Sequence, residues 1–312
     1  MITRGFFSRF LFVLCCAPAC LAPLNAQSVN RIVSTAPSIT ELLYALGLGD
    51  RVVGVDRFSR YPADAATKTK IGDYAAPNLE TIASLRPDLV IIPVNPVNLK
   101  QRLEGLHLRV LEIDQDGIES LYKSFAQVGD ATGVRPRADR LIASVRAGLE
   151  SVRSQAAKLP PVRVMFVVGR NPQRLDGLRV VGQASYLSQI MQIAGGRNVF
   201  RDAPAGYPQV SLEEVLARNP EVIIDMGDMA DTVGVTEAQK QSVAELWGAR
   251  STLTAVKLHH VYPVASDIFV QPGPRVVDAA REFFRMLHPE AALKVDVLQK
   301  GAATQKTKAV SK

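Results

Sequence analysis

Two segments of the chain, 133 residues apart, repeat one pattern without a gap. Residues 79–92 and 212–225 each begin with Leu-Glu, and then reach a proline, an acidic residue and an apolar run. Asn78 and Ser211, residue types that cap helices well, stand directly before them. The pattern predicts a short helix, a stop and a buried strand in each half of the chain. A fold that contains this repeat must be built from two similar units.

Apolar runs alternate with amphipathic segments around the repeat. In the first half we predict strands at residues 31–34, 52–55, 88–92 and 109–113. Residues 38–41 read as a capping box that opens the first helix. Residues 134–158 carry apolar side chains at steps of three and four, which predicts one long helix. A further apolar strand follows at 162–168, and a last helix is predicted at 275–287.

This alternation predicts an α/β fold of two Rossmann-like lobes with mainly parallel sheets. One long α-helix joins the lobes, and a ligand cleft lies between them. The predicted organisation is a signal peptide at 1–26, an N-terminal lobe at 27–130, a bridging helix at 131–159, a C-terminal lobe at 160–292 and a flexible basic tail at 293–312.

The first 26 residues have the order of a secretory signal peptide, because Arg4 and Arg9 precede a short apolar stretch. We therefore expect a periplasmic protein. Cys15, Cys16 and Cys20 are the three cysteines of the chain and all lie in this segment, so the mature protein should have no disulfide. A lipid anchor at Cys20 is the alternative to simple cleavage.

The charge of the chain is concentrated at its ends. The formal net charge is +7, and residues 27–293 account for only +1 of it. Nucleic-acid binding would need arginines and lysines clustered in the folded part, and the sequence shows no such run, so no nucleic-acid partner is expected. No apolar run reaches the roughly 18 residues of a membrane-spanning helix, which excludes a polytopic membrane protein.

Three aromatic residues fall on predicted loops near strand ends or helix starts. Phe58 follows the second strand, and Tyr74 and Tyr207 each stand six residues before the Leu-Glu glutamate of the repeat. Ligands of α/β sheets bind beyond the carboxyl ends of the strands, and flat aromatic faces suit a large, partly apolar ligand. The alternative is that each aromatic residue anchors its own loop.

The repeat also places one glutamate, Glu80 or Glu213, in the first turn of each predicted helix. The helix dipole stabilises a carboxylate there by about 0.3–1 kcal/mol, which explains one such residue. Two exposed acids at matching places would in addition suit a partner with two equivalent basic sites.

Signatures of catalysis are sparse. The sequence has no Gly-x-Ser-x-Gly elbow, and Gly47-Leu48-Gly49 ends a helix instead of following a strand. Asp225 and Asp228 could be read as an acid/base pair, but we interpret them as solvated acids at a strand end. The four histidines, His107, His259, His260 and His288, show no spacing of a metal site. We predict no catalytic residue, no metal and no resident cofactor; a secreted α/β enzyme is the alternative of a different class.

Five motifs, in order, carry a resemblance to a known family. They are Pro-Ser-Ile-Thr-Glu at 37–41, Asn-Leu-Glu at 78–80, Gly-Gly-Arg-Asn-Val-Phe at 195–200, Tyr-Pro-Gln-Val-Ser with Glu at 207–213, and Pro-Gly-Pro-Arg at 272–275. Over about residues 30–290 the chain resembles the substrate-binding proteins of class III ABC importers, which serve cobalamin, haem and ferric siderophores. The fourth motif is most similar to the cobalamin branch.

The resemblance implies a non-catalytic receptor that binds cobalamin or a related corrinoid between its lobes and delivers it to a permease. The implied ligand-binding residues are Ser38, Phe58, Tyr74, Tyr207, Asp267 and Gln271. Ser38 would contribute through its backbone and Asp267 through a polar contact to the side groups of the ligand.

The resemblance also implies partners. Glu80 and Glu213 match acids that dock onto arginines of a permease homodimer in the inner membrane, which works with ATPase subunits, and a monomeric receptor is expected. Cobalamin-binding members have tryptophan at the positions of Tyr74 and Tyr207 and arginine at that of Gln271. A haem or ferric-siderophore ligand is therefore the alternative within the family.

Overall fold

The computed structural model describes residues 28–73, 75–94, 98–227 and 235–293. The predictions for the signal peptide with Cys20, for Tyr74, for Asp228 and for the tail beyond residue 293 lie outside these residues. Among the described residues, none of the helices combines the length and the apolar character needed to span a bilayer.

The N-terminal lobe is a wholly parallel sheet flanked by helices. Its strands are β1 (Ile32–Ser34), β2 (Val52–Val55), β3 (Thr69–Lys70), β4 (Leu89–Pro93) and β5 (Val110–Ile113), which lie side by side in the order β3-β2-β1-β4-β5. The α-helices are α1 (Pro37–Ala45), α2 (Leu79–Ser84), α3 (Leu99–Glu104) and α4 (Ile118–Thr132), with 3-10 turns at Gly49–Arg51 and Ala63–Thr67.

The predicted long helix is α5 (Arg135–Ala156). It packs on α4 of the N-terminal lobe and on two helices of the C-terminal lobe, α6 (Tyr186–Ile193) and α10 (Val276–Leu287). One continuous apolar core includes side chains of both lobes and of α5, among them Leu42, Leu149 and Phe283. Because the lobes share this core, large separation of the lobes would expose apolar surface to water at a cost in free energy.

The C-terminal lobe has a six-stranded mixed sheet. Its strands are β6 (Val162–Gly169), β7 (Leu178–Val180), β8 (Gly196–Asn198), β9 (Gln209–Val210), β10 (Val222–Asp225) and β11 (Val261–Pro263). They run in the order β11-β10-β6-β7-β9, with β8 pairing the first residues of β6. Among the strand pairs described in this lobe, β6–β7 and β7–β9 are antiparallel and the others are parallel. The remaining helices are α7 (Leu212–Arg218), α8 (Glu237–Gly248), α9 (Thr254–Lys257) and a 3-10 turn at Asp267–Phe269.

The internal repeat extends to individual hydrogen bonds. In the N-terminal lobe the Asp88 carboxylate accepts from the backbone N–H of Arg31 at 2.9 Å, before the central strand β1. In the C-terminal lobe the Glu221 carboxylate accepts from the backbone N–H of Arg163 at 2.9 Å, on the central strand β6. An acid after the proline therefore ties the strand of the repeat to its neighbour in both lobes.

The repeat also holds in the backbone at the end of the two short helices. Arg86 (φ 47°) and Asn219 (φ 42°), 133 residues apart, both adopt the left-handed conformation directly before a proline. Few residues other than glycine adopt it. Its occurrence at equivalent positions identifies the two lobes as versions of one local design.

The start of α1 differs from the prediction. The N-cap of α1 is Ala36 without a side-chain hydrogen bond, and Pro37 occupies the first helical turn. Proline is favourable there, because its fixed φ suits the helix and its missing N–H needs no partner. The predicted capping box at residues 38–41 is therefore wrong, and the side chains of Ser38 and Glu41 are free for other contacts.

Candidate ligand cleft

The carboxyl-terminal ends of the two sheets face one common region, which we call the cleft. The N-terminal lobe contributes the start of α1 and the loops after β2 and β5, and the C-terminal lobe contributes the loop after β11. Side chains from these segments make hydrogen bonds from one lobe to the other. This is the end of an α/β sheet at which ligands bind.

Arg275 is the centre of the first bridge between the lobes. Its guanidinium donates to Glu41 of the N-terminal lobe at 2.8 Å and to Asp267 of its own lobe at 2.9 Å, with Gln271 at 3.4 Å. The ring of Tyr61, from the loop after β2, lies 4.2 Å from the guanidinium carbon. The bridge thus gathers both predicted polar ligand residues, Asp267 and Gln271, at the junction of the lobes.

Burial controls the ionisation of this bridge. Glu41 is only 3% exposed, and desolvation raises the pKa of its carboxyl, while the hydrogen bond and charge of Arg275 oppose that rise. Burial acts to lower the pKa of Arg275, but its hydrogen bonds to Glu41 and Asp267 outweigh this and leave it raised. The bridge thus sets two carboxyl groups against one guanidinium at the junction.

Gln115, in the loop after β5, forms the second bridge. The Ser38 hydroxyl donates to its side-chain oxygen at 2.8 Å, and its amide nitrogen donates to the carbonyl of Pro272 in the other lobe at 3.0 Å. Nearby, the backbone N–H of Ile118 donates to Gln189 across the same junction at 3.1 Å. Ser38 therefore lies at the junction, although the expected backbone contact with a ligand stays a prediction.

Tyr207 is an accessible aromatic residue of the C-terminal lobe. Its residue surface is 44% exposed, yet desolvation raises the pKa of its hydroxyl, with the charge of Asp116 adding to the rise. Part of the residue therefore packs against protein while the rest stays accessible. The pKa of Tyr186 is raised first by burial and then by the charges of Tyr207 and Glu41, so Tyr207 lies near the junction.

Phe58 is held on the loop that follows β2, as predicted. Its backbone N–H donates to Asp56 at 3.2 Å, and the Ser59 hydroxyl donates to the same carboxylate at 2.6 Å. The side chain is 37% exposed. The guanidinium carbon of Arg57 lies 4.5 Å from the ring centre, and Arg57 pairs with Asp73 at 3.3 Å. Phe58 is thus accessible on a fixed loop, with one face occupied by a cation.

Sequence reasoning missed four residues of the junction: Glu41, Tyr61, Gln115 and Arg275. Glu41 and Arg275 end two of the motifs that carried the family resemblance, so a signal for them was present in the sequence. Glu41 was instead assigned to a capping box. Tyr61, on the loop after β2 and 50% exposed, had the same signal as Phe58, namely an aromatic residue on a loop after a strand.

The paired glutamates take the predicted places. Glu80 and Glu213 are exposed second residues of α2 and α7. Asn78 caps α2 by accepting from Thr81 at 2.9 Å, and Ser211 caps α7. The free backbone N–H at the helix start, and then Ser211, lower the pKa of Glu213. Each helix leads into a parallel strand, so its first turn lies at the carboxyl edge of its sheet, as the cleft does.

Asp225 is not a solvated acid. It is 1% exposed and accepts from Arg170 at 3.0 Å and from the indole of Trp247 at 2.7 Å. The surrounding core excludes water from the end of β10, and an ionised carboxylate there needs such partners. Asp225 therefore holds Arg170, which also donates to loop carbonyls, in place under the C-terminal side of the cleft.

The histidines do not converge. His288 is buried and burial lowers the pKa of its ring, whereas His107 and His259 occupy left-handed turn positions. Among the residues described, no three His, Cys, Asp or Glu side chains are grouped so that they could hold a metal ion.

Two α/β lobes on a shared core, with polar contacts between them at their carboxyl edges, have the architecture of a two-lobed binding protein. A family model described as periplasmic binding protein matches residues 32–267. The chain belongs to this periplasmic binding protein family.

Individual relatives agree with this class. The chain is 29% identical over 269 residues (84% of the chain, 81% of the relative) to the uncharacterized ABC transporter substrate-binding lipoprotein YvrC of Bacillus subtilis. It is 28% identical over 286 residues (90% and 96%) to the vitamin B12-binding protein of Vibrio cholerae. The solved structure of the periplasmic vitamin B12 binding protein BtuF of Vibrio cholerae matches at 26% identity with a TM-score of 0.70, covering 83% of this chain and 96% of that one.

A periplasmic heme binding protein from Pseudomonas aeruginosa has the same fold. Its structure matches with a TM-score of 0.71 at 22% identity, over 84% of this chain and 94% of that one. The two-lobed architecture is therefore common to proteins named for different ligands, and the ligand must be argued from side chains.

Proposed function

We propose that this chain is the periplasmic substrate-binding component of an ABC importer and that it binds cobalamin or a related corrinoid between its lobes. The names of the relatives YvrC and the vitamin B12-binding protein of Vibrio cholerae support the importer and the ligand class. The observation on which the proposal mainly rests is the polar junction of the lobes around Arg275 and Gln115, with the accessible aromatic side chain of Tyr207 near it.

The charge of the junction favours a corrinoid over haem. Haem carries two propionate groups, and the guanidinium of Arg275 that could bind them is already paired with Glu41 and Asp267. The peripheral amides of a corrinoid are neutral and both donate and accept hydrogen bonds. Asp267 and Gln271 can accept from such amides, and the faces of Tyr207, Phe58 and, outside the described residues, Tyr74 would cover the apolar parts of the macrocycle.

The positions of the paired glutamates support delivery of the ligand to a permease. Glu80 and Glu213 are exposed at the same edge as the cleft, one on each lobe. A permease homodimer presents two equivalent surfaces, so one acid per lobe gives one contact per permease subunit. The shared core and the two bridges limit lobe movement, so recognition of the loaded receptor would depend on small displacements of these acids.

Titration of the purified protein tests the ligand. We expect cyanocobalamin and cobinamide to bind and hemin to bind at least about tenfold more weakly, measured by isothermal calorimetry and by absorption spectra. Tyr207→Ala should weaken corrinoid binding about tenfold, because stacking against an aromatic ring is lost, whereas Tyr207→Phe, which keeps the ring, should bind nearly as well as the wild type.

One result would overturn the ligand assignment. Tight binding of hemin with a shifted Soret band, together with no heat from corrinoids, would establish the haem alternative. Unchanged corrinoid affinity in Tyr207→Ala would instead exclude Tyr207 from the binding site. Turnover of a compound by the pure protein would favour the enzyme alternative.

A further inference from the structure

Arginines gather on the C-terminal lobe at the end opposite to the cleft. They come from α5, β6, β8, the loop after β8 and α7, and are Arg153, Arg163, Arg197, Arg201 and Arg218. They line two adjoining surface pockets of about 450 and 500 Å³, which share Arg197, Asn198 and Arg201. We call this surface the arginine groove. Since residues 27–293 have a net charge of only +1, the local excess is produced by folding.

One wall of the arginine groove is fixed by contacts within the protein. Arg218 pairs with both oxygens of Asp202 at 2.8 and 3.0 Å, donates to the carbonyl of Val199 at 2.6 Å and stacks 4.6 Å over the Phe200 ring. Arg163 donates to the carbonyl of Arg218. These guanidinium groups are held in place before any ligand binds, which reduces the entropy that binding would cost.

Arg197 and Arg201 stand at the centre with unused donors. Both are exposed, and neither guanidinium makes a hydrogen bond or ion pair to any residue in the described parts of the chain. Arg218, and to a lesser extent Arg201, lowers the pKa of Asp202. Arg153 pairs with Glu150 at 3.4 Å. Asp202 and Glu150 pair with two of the five arginines, and Glu221 accepts from the backbone N–H of Arg163 at 2.9 Å. The guanidinium groups of Arg197 and Arg201 keep their charge unpaired among the described residues, so an anion would be attracted to them.

The arginine groove also has an apolar part, in the pocket beside these arginines. The pocket of about 450 Å³ is lined by Ala156, Leu159, Pro161 and Ile193 in addition to arginine. An apolar recess with a charged rim is the arrangement of a protein-recognition site, in which an apolar anchor is surrounded by polar contacts. A cluster of phosphate groups would use the arginines but would leave the apolar recess unfilled.

We propose that the arginine groove binds an acidic peptide segment of a partner protein, with an aliphatic side chain in the apolar pocket and carboxylates on Arg197 and Arg201. The tail at 294–312 is not the occupant, because it carries five lysines and one aspartate and would be repelled. β6 has eight residues and separates the groove from the cleft by roughly 23 Å at its rise per residue. A partner bound in the arginine groove would therefore leave the cleft free for its ligand and leave Glu80 and Glu213 free for the permease.

Fluorescence anisotropy with a labelled synthetic peptide tests the proposal, using one leucine flanked by glutamates on both sides. We expect binding to wild type that weakens as salt is added, since the charges are exposed. The double variant Arg197→Glu/Arg201→Glu should lose at least about tenfold in affinity, because two attractive pairs become repulsive. The matched control Arg179→Glu/Lys257→Glu makes the same charge change at exposed sites of the same lobe, outside the groove, and should bind nearly as wild type.

Further measurements separate the proposal from general electrostatics. Replacing the leucine of the peptide by serine should weaken binding, as the apolar pocket is then empty. Equal loss in the two double variants would overturn the assignment of the groove. Competition by inorganic tripolyphosphate as effective as the peptide, with no effect of the leucine, would overturn the peptide as ligand. Unchanged melting and unchanged cleft titration of Arg197→Glu/Arg201→Glu would show that the variant is folded.

Discussion

The two lobes share a framework but contribute different side chains to the cleft. Asp88 and Glu221 tie the repeat strand to its neighbour in the same way, and α2 and α7 start with an exposed glutamate in the same place. At the junction the symmetry ends, because one lobe offers the acid Glu41 and the other the base Arg275. The repeat therefore specifies the scaffold and the exposed glutamates at the helix starts, whereas the contacts between the lobes come from loops that differ between them.

The largest effect is expected from removing the symmetric acids. Glu80→Arg/Glu213→Arg should abolish transport, on the order of a hundredfold or more in uptake rate, because two attractive contacts become repulsive. Ligand affinity should be unchanged, since both residues lie outside the cleft. Transport is measured as uptake of labelled cobalamin by cells or by liposomes that contain the permease. Ligand affinity is measured by calorimetry.

The single variants sharpen the comparison between the lobes. If the permease is a homodimer, Glu80→Arg and Glu213→Arg should impair uptake to a similar degree. Loss of ligand affinity in the double variant, or full uptake by it, would contradict the docking role. Glu104→Arg, at the exposed last residue of α3, serves as the control for charge alone.

Breaking the asymmetric bridge should have the next largest effect. Arg275→Ala leaves Glu41 buried without its cation, which should lower the free energy of unfolding by about 3 kcal/mol. Urea denaturation measures this change. Arg281→Ala, which removes an exposed pair with Asp278 on α10, should cost no more than about 1 kcal/mol. Similar losses in the two variants would show that the bridge is not a structural junction of the lobes.

The smallest effect concerns the shared framework. Asp88→Asn and Glu221→Gln each weaken a charged hydrogen bond to backbone N–H, and each should cost about 1–2 kcal/mol. Asp88 should cost more, because its carboxylate accepts from Asn30 as well as Arg31. Thermal unfolding of the two variants side by side tests this order. If only one of the two variants is destabilised, the two hydrogen bonds are equivalent in geometry but not in free energy.

Local patterns predicted most of the architecture correctly. The long helix α5 follows from apolar side chains at steps of three and four, and the repeat follows from caps, prolines and apolar runs, all of which act over a few residues. The errors arose where neighbours in space replaced neighbours in sequence. Glu41 fits a capping box by spacing, but it is buried against Arg275, and Asp225 is covered by Trp247.

The sequence by itself determined two α/β lobes, their repeated helix–strand unit and the exposed acids at the helix starts, because periodicity, capping and turn formation depend on adjacent residues. Only the tertiary structure decided which side chains meet. Glu41 and Arg275 are 234 positions apart, and Arg163, Arg197 and Arg218 are scattered along the chain until β6, β8 and α7 bring them together. Such contacts depend on how whole elements pack, and packing is settled by the shared core of both lobes.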